Sequence, residues 1–238
     1  MDLVVRGANS IGIELDSNQI ELFEQYYSFL SERNSSVNLT SKNALKLIET
    51  RHFLDSLQVS LALSPTLLDS SSFVDIGSGA GFPGLPMKIA FPGLRPTLIE
   101  SVRKKTQFLE ELVEKLDLKN VSVITSRAET MARREDLREK FDFAVARAVS
   151  SIATLAELTL PFCRIGGLVI IPKGSDIRQE LDDGMNAISE LGGKVHKIIS
   201  ISMDRFVNRP SSLLVIKKIY GTSDRYPRRS GLPAKRPL

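Results

Sequence analysis

The chain has 238 residues, 42% of them hydrophobic, which is enough for one large domain, or for one domain with an extension. Its single cysteine, Cys163, excludes an internal disulfide, and no stretch approaches the ~20 apolar residues that a membrane span needs. The first residues lack the basic and then apolar layout of a signal peptide, so we expect a cytoplasmic protein.

Positive charge is concentrated in the later part of the chain. The formal net charge is +4, but residues 1–70 carry −4, residues 71–238 carry +8, and residues 217–238 alone carry +6. A basic half that ends in a basic tail predicts a polyanionic partner such as a nucleic acid. A solvated tail without a partner is the alternative.

The first 70 residues are predicted to form a helical extension. Residues 16–31 read as an amphipathic helix with an apolar stripe of Ile20, Phe23, Tyr27 and Leu30. After an interruption at Asn38, a short helix is expected from Ser41 to Ile48 and a longer one over 50–63. The Ser-rich segment 64–72 reads as the junction to the main domain.

A glycine-rich loop follows the first predicted strand. The apolar run from Phe73 to Ile76 reads as a buried strand, and the four glycines that follow it let a ligand lie close to the backbone. A carboxylate, Asp75, comes just before the first glycine. A pyrophosphate would be repelled there, whereas the ammonium of S-adenosylmethionine would be attracted. We therefore expect this cofactor at the loop, with Asp75, Gly77, Gly79 and Gly81 in contact with it.

From residue 73 onward, predicted strands and helices alternate, which indicates a doubly wound parallel sheet. The predicted strands are 73–76, 96–100, 121–124, 141–146, 167–171, 195–203 and 212–219. The predicted helices are 102–117, 129–140, 151–163 and 175–191. No helix separates the last two strands, so they should form an antiparallel hairpin at the end of the sheet.

The expected fold class is therefore α/β, a Rossmann-like, mostly parallel seven-stranded sheet with a terminal antiparallel hairpin, as in class I S-adenosylmethionine-dependent methyltransferases. We divide the chain into an N-terminal helical extension over 1–70, a methyltransferase domain over 71–220 and a basic C-terminal tail over 221–238. Glu100 ends the second strand, where a carboxylate can accept both ribose hydroxyls of the cofactor.

The chain resembles a known family over nearly its whole length. The shared motifs are Asn38-Leu39-Thr40, Arg51-His52-x-x-Asp55-Ser56, Asp75-x-Gly-x-Gly-x-Gly-Phe-Pro-Gly, Arg127-Ala128-Glu129, Ala146-Arg147-Ala148, Pro172-Lys173-Gly174 and Tyr226-Pro227-Arg228-Arg229. Together they resemble the small-subunit (16S) ribosomal RNA guanine(N7) methyltransferases, known as RsmG or glucose-inhibited division protein B (GidB). The resemblance implies S-adenosylmethionine as cofactor and 16S ribosomal RNA, in the small ribosomal subunit, as partner.

The resemblance also implies roles for individual residues. Phe82 is expected to face the cofactor, and Ala128 and Glu129 to lie beside its adenine ring. Arg147 and Lys173 follow apolar strands at adjacent carboxyl ends, where they would flank the bound nucleotide as the catalytic residues. Alternatively, Arg147 contacts the carboxylate of the cofactor instead of the nucleotide. The predicted RNA contacts are His52, Lys173, Arg209, Arg228 and Arg229. His52 and Asp55, three residues apart on one helix, are equally consistent with a structural pair.

The end of the fourth strand excludes two other chemistries. It lacks the Asn/Asp-Pro-Pro-aromatic motif of amino-methylating enzymes, and Cys163 is expected to be a small buried residue rather than a nucleophile. Guanine N7 has an in-plane lone pair and carries no proton, so its methylation requires orientation and no general base. Two histidines and one cysteine, far apart, predict no metal site. We expect a monomer.

Three alternative functions remain open from the sequence. The first is a methyltransferase that acts on another RNA or on a small molecule. The second is a nicotinamide dehydrogenase, which uses a related sheet and a glycine-rich loop. The third is a non-catalytic RNA-binding module that has no use for the cofactor.

Overall fold

The computed structural model describes residues 1–147, 150–201 and 211–238, apart from the side chain of Lys42. The helices of the N-terminal part are α1 (Asp2–Ser10), α2 (Ser17–Val37), α3 (Lys42–Lys46), a π-helical turn (Glu49–Leu54), α4 (Asp55–Leu57), a 3-10 turn (Gln58–Ala62) and α5 (Pro65–Ser70). The later helices are α6 (Gly84–Ala90), α7 (Arg103–Lys115), α8 (Ala128–Met131), α9 (Ile152–Thr159) with a 3-10 turn (Leu160–Phe162), α10 (Arg178–Glu190) and α11 (Leu232–Lys235).

A seven-stranded sheet organises these helices. Its strands are β1 (Ser72–Ile76), β2 (Arg95–Glu100), β3 (Ser122–Thr125), β4 (Phe141–Val145), β5 (Cys163–Gly174), β6 (Gly193–Ile201) and β7 (Ser211–Lys218), in the order β3-β2-β1-β4-β5-β7-β6. The first five are parallel, and β7 lies antiparallel to both β5 and β6. The predicted mostly parallel sheet with a terminal antiparallel hairpin is confirmed.

Helices cover both faces of the sheet because its strands alternate between two apolar layers. Val74 and Ala144 point toward the layer that contains Ile188 of α10, whereas Phe73 and Phe143 point toward the opposite layer. The strand order reverses between β1 and β4, so the loops after these strands open a crevice at the carboxyl edge of the sheet.

The N-terminal helices belong to the same packed body as the sheet. Phe23 and Phe29 of α2 share an apolar cluster with Leu85 of α6, Leu98 of β2 and Phe108 of α7. A capping box at Asp16 and Gln19 starts α2, and the Gln19 side chain also donates hydrogen bonds to the carbonyls of Ile89 and Ala90. The extension is thereby fixed against α6, the helix that follows the glycine-rich loop.

Two sequence predictions were wrong in detail. The predicted helix over 129–140 ends at Met131, and the chain then turns so that the guanidiniums of Arg133 and Arg138 reach the C-terminal residues. The predicted helix over 50–63 is divided into π, α and 3-10 turns, and α1 was not predicted. Cys163 is fully buried, as predicted, and burial raises the pKa of its thiol to about 12.

The apolar stripe of α2 also differs from the prediction at one residue. Tyr26 is fully buried, whereas Tyr27, which was assigned to the stripe, is 39% exposed. Both positions fit helical spacing from Phe23. Tyr26 is the inward one because its hydroxyl reaches the carbonyl of Ala80 in the glycine-rich loop.

Candidate functional site

The glycine-rich loop lines an open space beyond the end of β1. Gly77, Gly79 and Gly81 have φ values of +72°, +58° and +101°, which side-chain-bearing residues rarely adopt. A Cβ added to Gly77 would meet nothing within 4 Å, and one added to Gly79 would meet only the carbonyl of Gly77, at 3.8 Å. At Gly81 a Cβ would lie 2.6 Å from the Tyr26 hydroxyl. The first two glycines therefore border the cleft, and the third packs against α2.

Asp75 lies beneath this loop with one carboxylate oxygen unused. The residue is completely buried, and its Oδ2 accepts a hydrogen bond from the backbone N–H of Gly84 at 2.9 Å. Its Oδ1 is buried without a hydrogen-bond partner among the described residues. Burial raises the pKa of Asp75 to about 7, although the Gly84 N–H, the Arg147 charge and the nearby Ser78 hydroxyl act in the opposite direction. A buried, unsatisfied carboxylate oxygen favours a cationic ligand.

Glu100 holds the loop from the neighbouring strand. Its Oε2 accepts a hydrogen bond from the N–H of Gly79 at 3.1 Å, and its Oε1 accepts one from the N–H of Val102 at 2.9 Å. Each carboxylate oxygen has a second lone pair, so the group keeps acceptor capacity for a ligand hydroxyl. The carboxyl ends of β1 and β2 are thus joined by the residue that was predicted to bind ribose.

The predicted adenine-side residues begin α8. Ala128 and Glu129 are both buried, and the N–H of Ser126 donates a hydrogen bond to the carbonyl of Glu100 at 3.0 Å. This bond connects the β3–α8 junction to the end of β2. The Oε1 of Glu129 accepts a hydrogen bond from the N–H of Gly231 at 2.7 Å, a contact that no local pattern of residues could predict.

Aromatic rings from the extension stack on the loop. Phe82, only 5% exposed, is nearly parallel to His52 and to Tyr26, with ring centroids 4.5 and 5.5 Å away. Phe53 meets Phe82 edge-on at 5.9 Å. Three neighbours of Phe82 are thus rings of the protein itself, and its contact with the cofactor stays a prediction.

His52 and Arg147 form a hydrogen-bonded pair across 95 residues of sequence. The Arg147 Nη2 donates to His52 Nδ1 at 2.8 Å, and Thr40 Oγ1 lies 3.0 Å from His52 Nε2. Burial and the charges of Arg147 and Arg51 lower the pKa of His52 to about 3. The imidazole is therefore neutral, and because its Nδ1 accepts, its Nε2–H donates to Thr40.

Other groups of the extension hold Arg147 as well. Its Nη1 donates to the carbonyl of Arg51 at 3.2 Å and lies 4.0 Å from the carboxylate of Asp55. Its guanidinium also lies over the Phe82 ring, 5.2 Å from the centroid. The structure thus brings Arg147, His52, Asp55 and Phe82 together at the carboxyl end of β4. Burial lowers the pKa of Arg147, and Asp55 and Asp75 oppose that effect.

Lys173 is directed toward the start of α9. Its Nζ donates to the carbonyl of Ser150 and to Glu180 Oε1, each at 2.5 Å, and its side chain is 10% exposed. Glu180 also accepts the N–H of Ile152 at 3.0 Å. The residue lies at the carboxyl end of β5, as predicted, but its charge is already paired, which favours a positioning role over a direct contact to a base.

The predicted tail contacts differ from one another. Arg228 forms a two-pronged ion pair with the completely buried Glu157, with Nη2 to Oε2 at 2.6 Å and Nε to Oε1 at 3.0 Å. Its neighbour Arg229 is exposed. Arg209 lies outside the described residues. Of the two described arginines that were predicted to contact RNA from the tail, Arg229 is exposed, whereas Arg228 is bound to Glu157.

Sequence reasoning missed Tyr26 and Thr40 as parts of the site. Tyr26 had a signal, since it follows Phe23 at helical spacing, but the adjacent Tyr27 fits the same stripe. Thr40 belongs to a quoted motif, and its role depends on His52, twelve residues away. In the described ranges, no helix is long and apolar enough to cross a membrane. No group of three or more metal-ligating side chains is found among the same residues.

Comparison with known structures supports the fold. The fibrillarin of Aeropyrum pernix in complex with natively bound S-adenosyl-L-methionine matches with a TM-score of 0.50 at 17% sequence identity, over 68% of this chain and 70% of the fibrillarin chain. At this identity the likeness concerns the fold alone. Together with the strand order, it confirms the predicted class I methyltransferase fold.

Comparison of sequences is more specific. The profile of the GidB family, described as rRNA small subunit methyltransferase G, matches residues 19–207. The chain is 48% identical to the ribosomal RNA small subunit methyltransferase G of Roseiflexus castenholzii and 44% identical to that of Dehalococcoides mccartyi. Both alignments cover 100% of this chain and 100% of the relative. The chain therefore belongs to the GidB family of rRNA small subunit methyltransferase G proteins.

Proposed function

We propose that the protein transfers a methyl group from S-adenosylmethionine to N7 of a guanine in 16S ribosomal RNA of the small ribosomal subunit. Family membership supports the reaction class, and the loop at the end of β1 supports the cofactor. Ribosomal RNA as substrate implies a cytoplasmic site of action. We retain the division into an extension (1–70), a catalytic domain (71–220) and a tail (221–238), and a monomeric state, as parts of the proposal.

The observation that carries the proposal is the buried, unpartnered Oδ1 of Asp75 below the open face of Gly77 and Gly79. The residues present fit S-adenosylmethionine, because its methionyl ammonium is the cation that such an oxygen favours. The two glycines leave room for the methionyl chain, Glu100 has acceptor capacity for ribose hydroxyls, and Ala128 with Glu129 would border the adenine. When bound, this cofactor supplies an electrophilic methyl group.

The residues around Arg147 hold its guanidinium in one orientation. Guanine N7 carries no proton, so the site needs no general base, and alignment supplies the rate enhancement. His52, Asp55 and the Arg51 carbonyl hold the guanidinium, whose flat fork suits the O6 and N7 acceptors of guanine. A contact from Arg147 to the cofactor carboxylate is the alternative. In either case the guanidinium is fixed before a ligand arrives.

Exposed cations near the cleft support an RNA substrate. Arg51 is exposed on the extension, next to His52, and Arg103 and Lys104 are exposed just beyond Glu100. With Arg229, they are positioned to meet phosphates by their exposure and charge. His52 and Lys173, which were also predicted to contact RNA, have polar atoms already bound within the protein, so we assign them to positioning.

The test is methyl transfer from cofactor labelled in its methyl group. The substrates are small ribosomal subunits, protein-free 16S RNA and large subunits, all from cells that lack this methyltransferase, so that the target is unmodified. We expect labelled 7-methylguanosine from the small subunit or its RNA and none from the large subunit. Label in another nucleoside, or in no RNA, would overturn the guanine N7 proposal and favour another methyl acceptor.

A matched pair of glycine variants identifies the cofactor site. Gly77 and Gly12 have φ values of +72° and +78°, and a Cβ would meet nothing within 4 Å at either residue. Gly77→Ala and Gly12→Ala therefore impose the same backbone cost, of about 1–2 kcal/mol. Only Gly77→Ala should lose affinity for S-adenosylmethionine in a calorimetric titration. Heat protection of the native protein distinguishes the other candidate functions. Protection by NAD rather than by S-adenosylmethionine would favour a dehydrogenase. Protection by neither ligand would favour a non-catalytic module.

A further inference from the structure

The segment Gly221–Leu238, here called the C-terminal strap, is attached to the catalytic domain at several points along its length. Just before the strap, at the end of β7, the buried Lys218 donates to the carbonyl of Leu160 at 2.9 Å and is paired with Glu139 at 3.2 Å. Glu139 Oε1 also accepts the N–H of Thr222 at 2.7 Å. The strap therefore leaves β7 through a buried network of charged and polar groups instead of departing into solvent.

Two arginines from the segment between α8 and β4 bind the strap backbone. Arg138 donates to the carbonyls of Thr222 at 2.6 Å and Tyr226 at 2.9 Å. Arg133 donates to the carbonyl of Pro227 at 2.6 Å. These contacts explain why the predicted helix over 129–140 stops early, since its arginines face the strap. They tie the strap to the residues that directly follow α8.

Arg228 provides the strongest attachment to α9. Its guanidinium and its backbone N–H both bind the carboxylate of Glu157, which has no exposed surface. Farther along, Thr154 Oγ1 donates to the carbonyl of Pro233 at 3.0 Å. A bidentate pair with a buried carboxylate fixes both position and orientation. The strap is thus anchored on α9 both before and after Gly231.

Between these anchors, Gly231 meets the residue expected at the adenine side of the cofactor. Its φ is +79°, and its N–H donates to Glu129 Oε1 at 2.7 Å. Glu129 is 8% exposed and lies in the first turn of α8, directly after the buried Ala128. The carboxylate is therefore held by a hydrogen bond from a segment about one hundred residues away in sequence.

We propose that the C-terminal strap is part of the cofactor site, in which Gly231 acts as a positioning residue that fixes Glu129 and the β3–α8 junction against the adenine side of S-adenosylmethionine. The inference rests on the proposed function and adds a residue group that the glycine-rich loop does not include. The exposed cations of the strap, among them Lys235 and Arg236, take no part in the Gly231–Glu129 hydrogen bond and can serve RNA binding.

A truncation and a charge-matched control test the proposal. Removal of residues 231–238 deletes the Gly231 contact, the anchor of Pro233 on Thr154 and two cations, but keeps Arg228 on Glu157. The control, Lys235→Ala with Arg236→Ala, removes the same two cations and keeps Gly231. A hydrogen bond to a charged group stabilises the site strongly, so its loss should raise the Kd for S-adenosylmethionine by about tenfold in the truncated protein. The control should bind as wild type does.

A second variant keeps the test independent of folding in the truncated protein. Glu129→Ala should raise the same Kd by about tenfold, and Glu129→Gln, which retains an acceptor for the Gly231 N–H, should recover most of it. Combining Glu129→Ala with the truncation should add little, because both remove the same hydrogen bond.

The outcomes separate this inference from the proposed function. If wild-type protein fails to bind S-adenosylmethionine, the proposed function fails, and the inference with it. If wild type binds and both the truncated protein and Glu129→Ala keep its Kd, the inference alone is overturned. Fully additive losses in the combined variant would also overturn it, because they would show that Gly231 and Glu129 act separately. The midpoint of thermal unfolding, measured without ligand, reports any loss of fold.

Discussion

At the scale of single residues, Asp75 favours cofactor binding but lowers the stability of the folded protein when it is charged. Burial raises its pKa from 3.8 to about 7, so between these values the folded protein holds a proton that the unfolded chain releases. The free energy of unfolding should therefore fall as the pH rises from about 4 through about 7. Below that window the neutral carboxyl is tolerated, and above it the folded state contains a buried charge.

Replacing Asp75 with Asn should remove the destabilisation caused by the buried charge, and should also remove the negative charge that attracts the ammonium of S-adenosylmethionine. Asp75→Asn is expected to raise the melting temperature at pH 8 by about 2–4 °C per kcal/mol gained, with a much smaller gain at pH 4. It should also weaken binding of S-adenosylmethionine, because a neutral amide cannot form an ion pair with the ammonium. Thermal unfolding at both pH values and a cofactor titration measure the two effects. An equal shift at pH 4 and pH 8 would contradict the buried-charge explanation.

His52 has the opposite pH dependence because its charged form is disfavoured in the fold. Its pKa falls from 6.5 to about 3, so between these values the unfolded chain binds the extra proton and stability increases with pH. In the wild-type protein this trend and that of Asp75 partly cancel between about pH 4 and 6.5. The single variants should separate them.

His52 should act on the reaction through Arg147 rather than through a proton of its own. His52→Ala should slow single-turnover transfer by about tenfold or more, the effect of removing one interaction of about 1.4 kcal/mol. His52→Asn keeps an acceptor near the Nδ1 position and should retain more activity than His52→Gln, which keeps a donor near Nε2. Equally low rates in the Asn and Gln variants would show that the hydrogen bond to Arg147 is not what matters.

At the scale of elements, α2 braces the glycine-rich loop. The Tyr26 hydroxyl donates to the carbonyl of Ala80 at 2.5 Å from a fully buried position. Tyr26→Phe should lower the free energy of unfolding by about 1 kcal/mol and weaken cofactor binding several-fold, since a buried acceptor is left unpaired. Tyr27→Phe, one residue along and 39% exposed, is the matched control and should change neither quantity. A similar effect of both changes would mean that the loop does not depend on this bond.

The end of β5 should govern transfer through the start of α9. Lys173→Met removes the bonds to the Ser150 carbonyl and Glu180 but keeps the bulk of the side chain. We expect cofactor affinity within a few-fold of wild type and a transfer rate lower by about tenfold or more. Lys194→Met, an exposed position on the outer strand β6, is the control. Wild-type transfer in folded Lys173→Met would remove this lysine from the site.

Elements that depend on local pattern were predictable from the sequence. The strand before Gly77, the carboxylate at Glu100 and the final hairpin follow from apolar runs, glycines and the missing helix between the last two strands. Contacts that join distant segments were not predictable. Nothing in the sequence distinguishes Tyr26 from Tyr27, or indicates that Arg228 is paired with a buried carboxylate while Arg229 is exposed. The helix predicted over 129–140 failed for the same reason, since its arginines bind carbonyls about ninety residues away.

At the scale of the whole molecule, the cations of the basic tail differ in exposure. Arg228 is paired with the buried Glu157, whereas Arg229, Lys235 and Arg236, here called the outer set of cations, are exposed. Arg229→Ala combined with Lys235→Ala and Arg236→Ala removes exposed charge only. This variant should bind small-subunit RNA more weakly and with a flatter salt dependence, by up to about 0.7–0.9 in the logarithmic slope for each phosphate that is no longer neutralised. Its cofactor affinity should be unchanged. An unaltered slope in a titration from low to high salt would exclude the tail from RNA binding.

Arg228→Ala should behave differently although it too removes a positive charge from the tail. It removes the counter-charge of the buried Glu157 and leaves this carboxylate only the backbone N–H of residue 228, which costs about 3–5 kcal/mol of stability. Its main effect should therefore be a lower melting temperature. A truncation after Tyr220 would mix this effect with weaker RNA binding, so the outer set of cations gives the cleaner measurement.

The position of β7 also has a consequence for how the protein is made. This strand is the last of the seven to be synthesised, yet it lies between β5 and β6 and is the partner of both. Until Ser211–Lys218 leaves the ribosome, β5 presents an unpaired edge that includes Val169, Ile170 and Ile171, all completely buried in the finished protein. Unpaired apolar edges promote association between chains. A nascent chain that stalls or terminates before this strand should therefore aggregate rather than persist as a partly active enzyme.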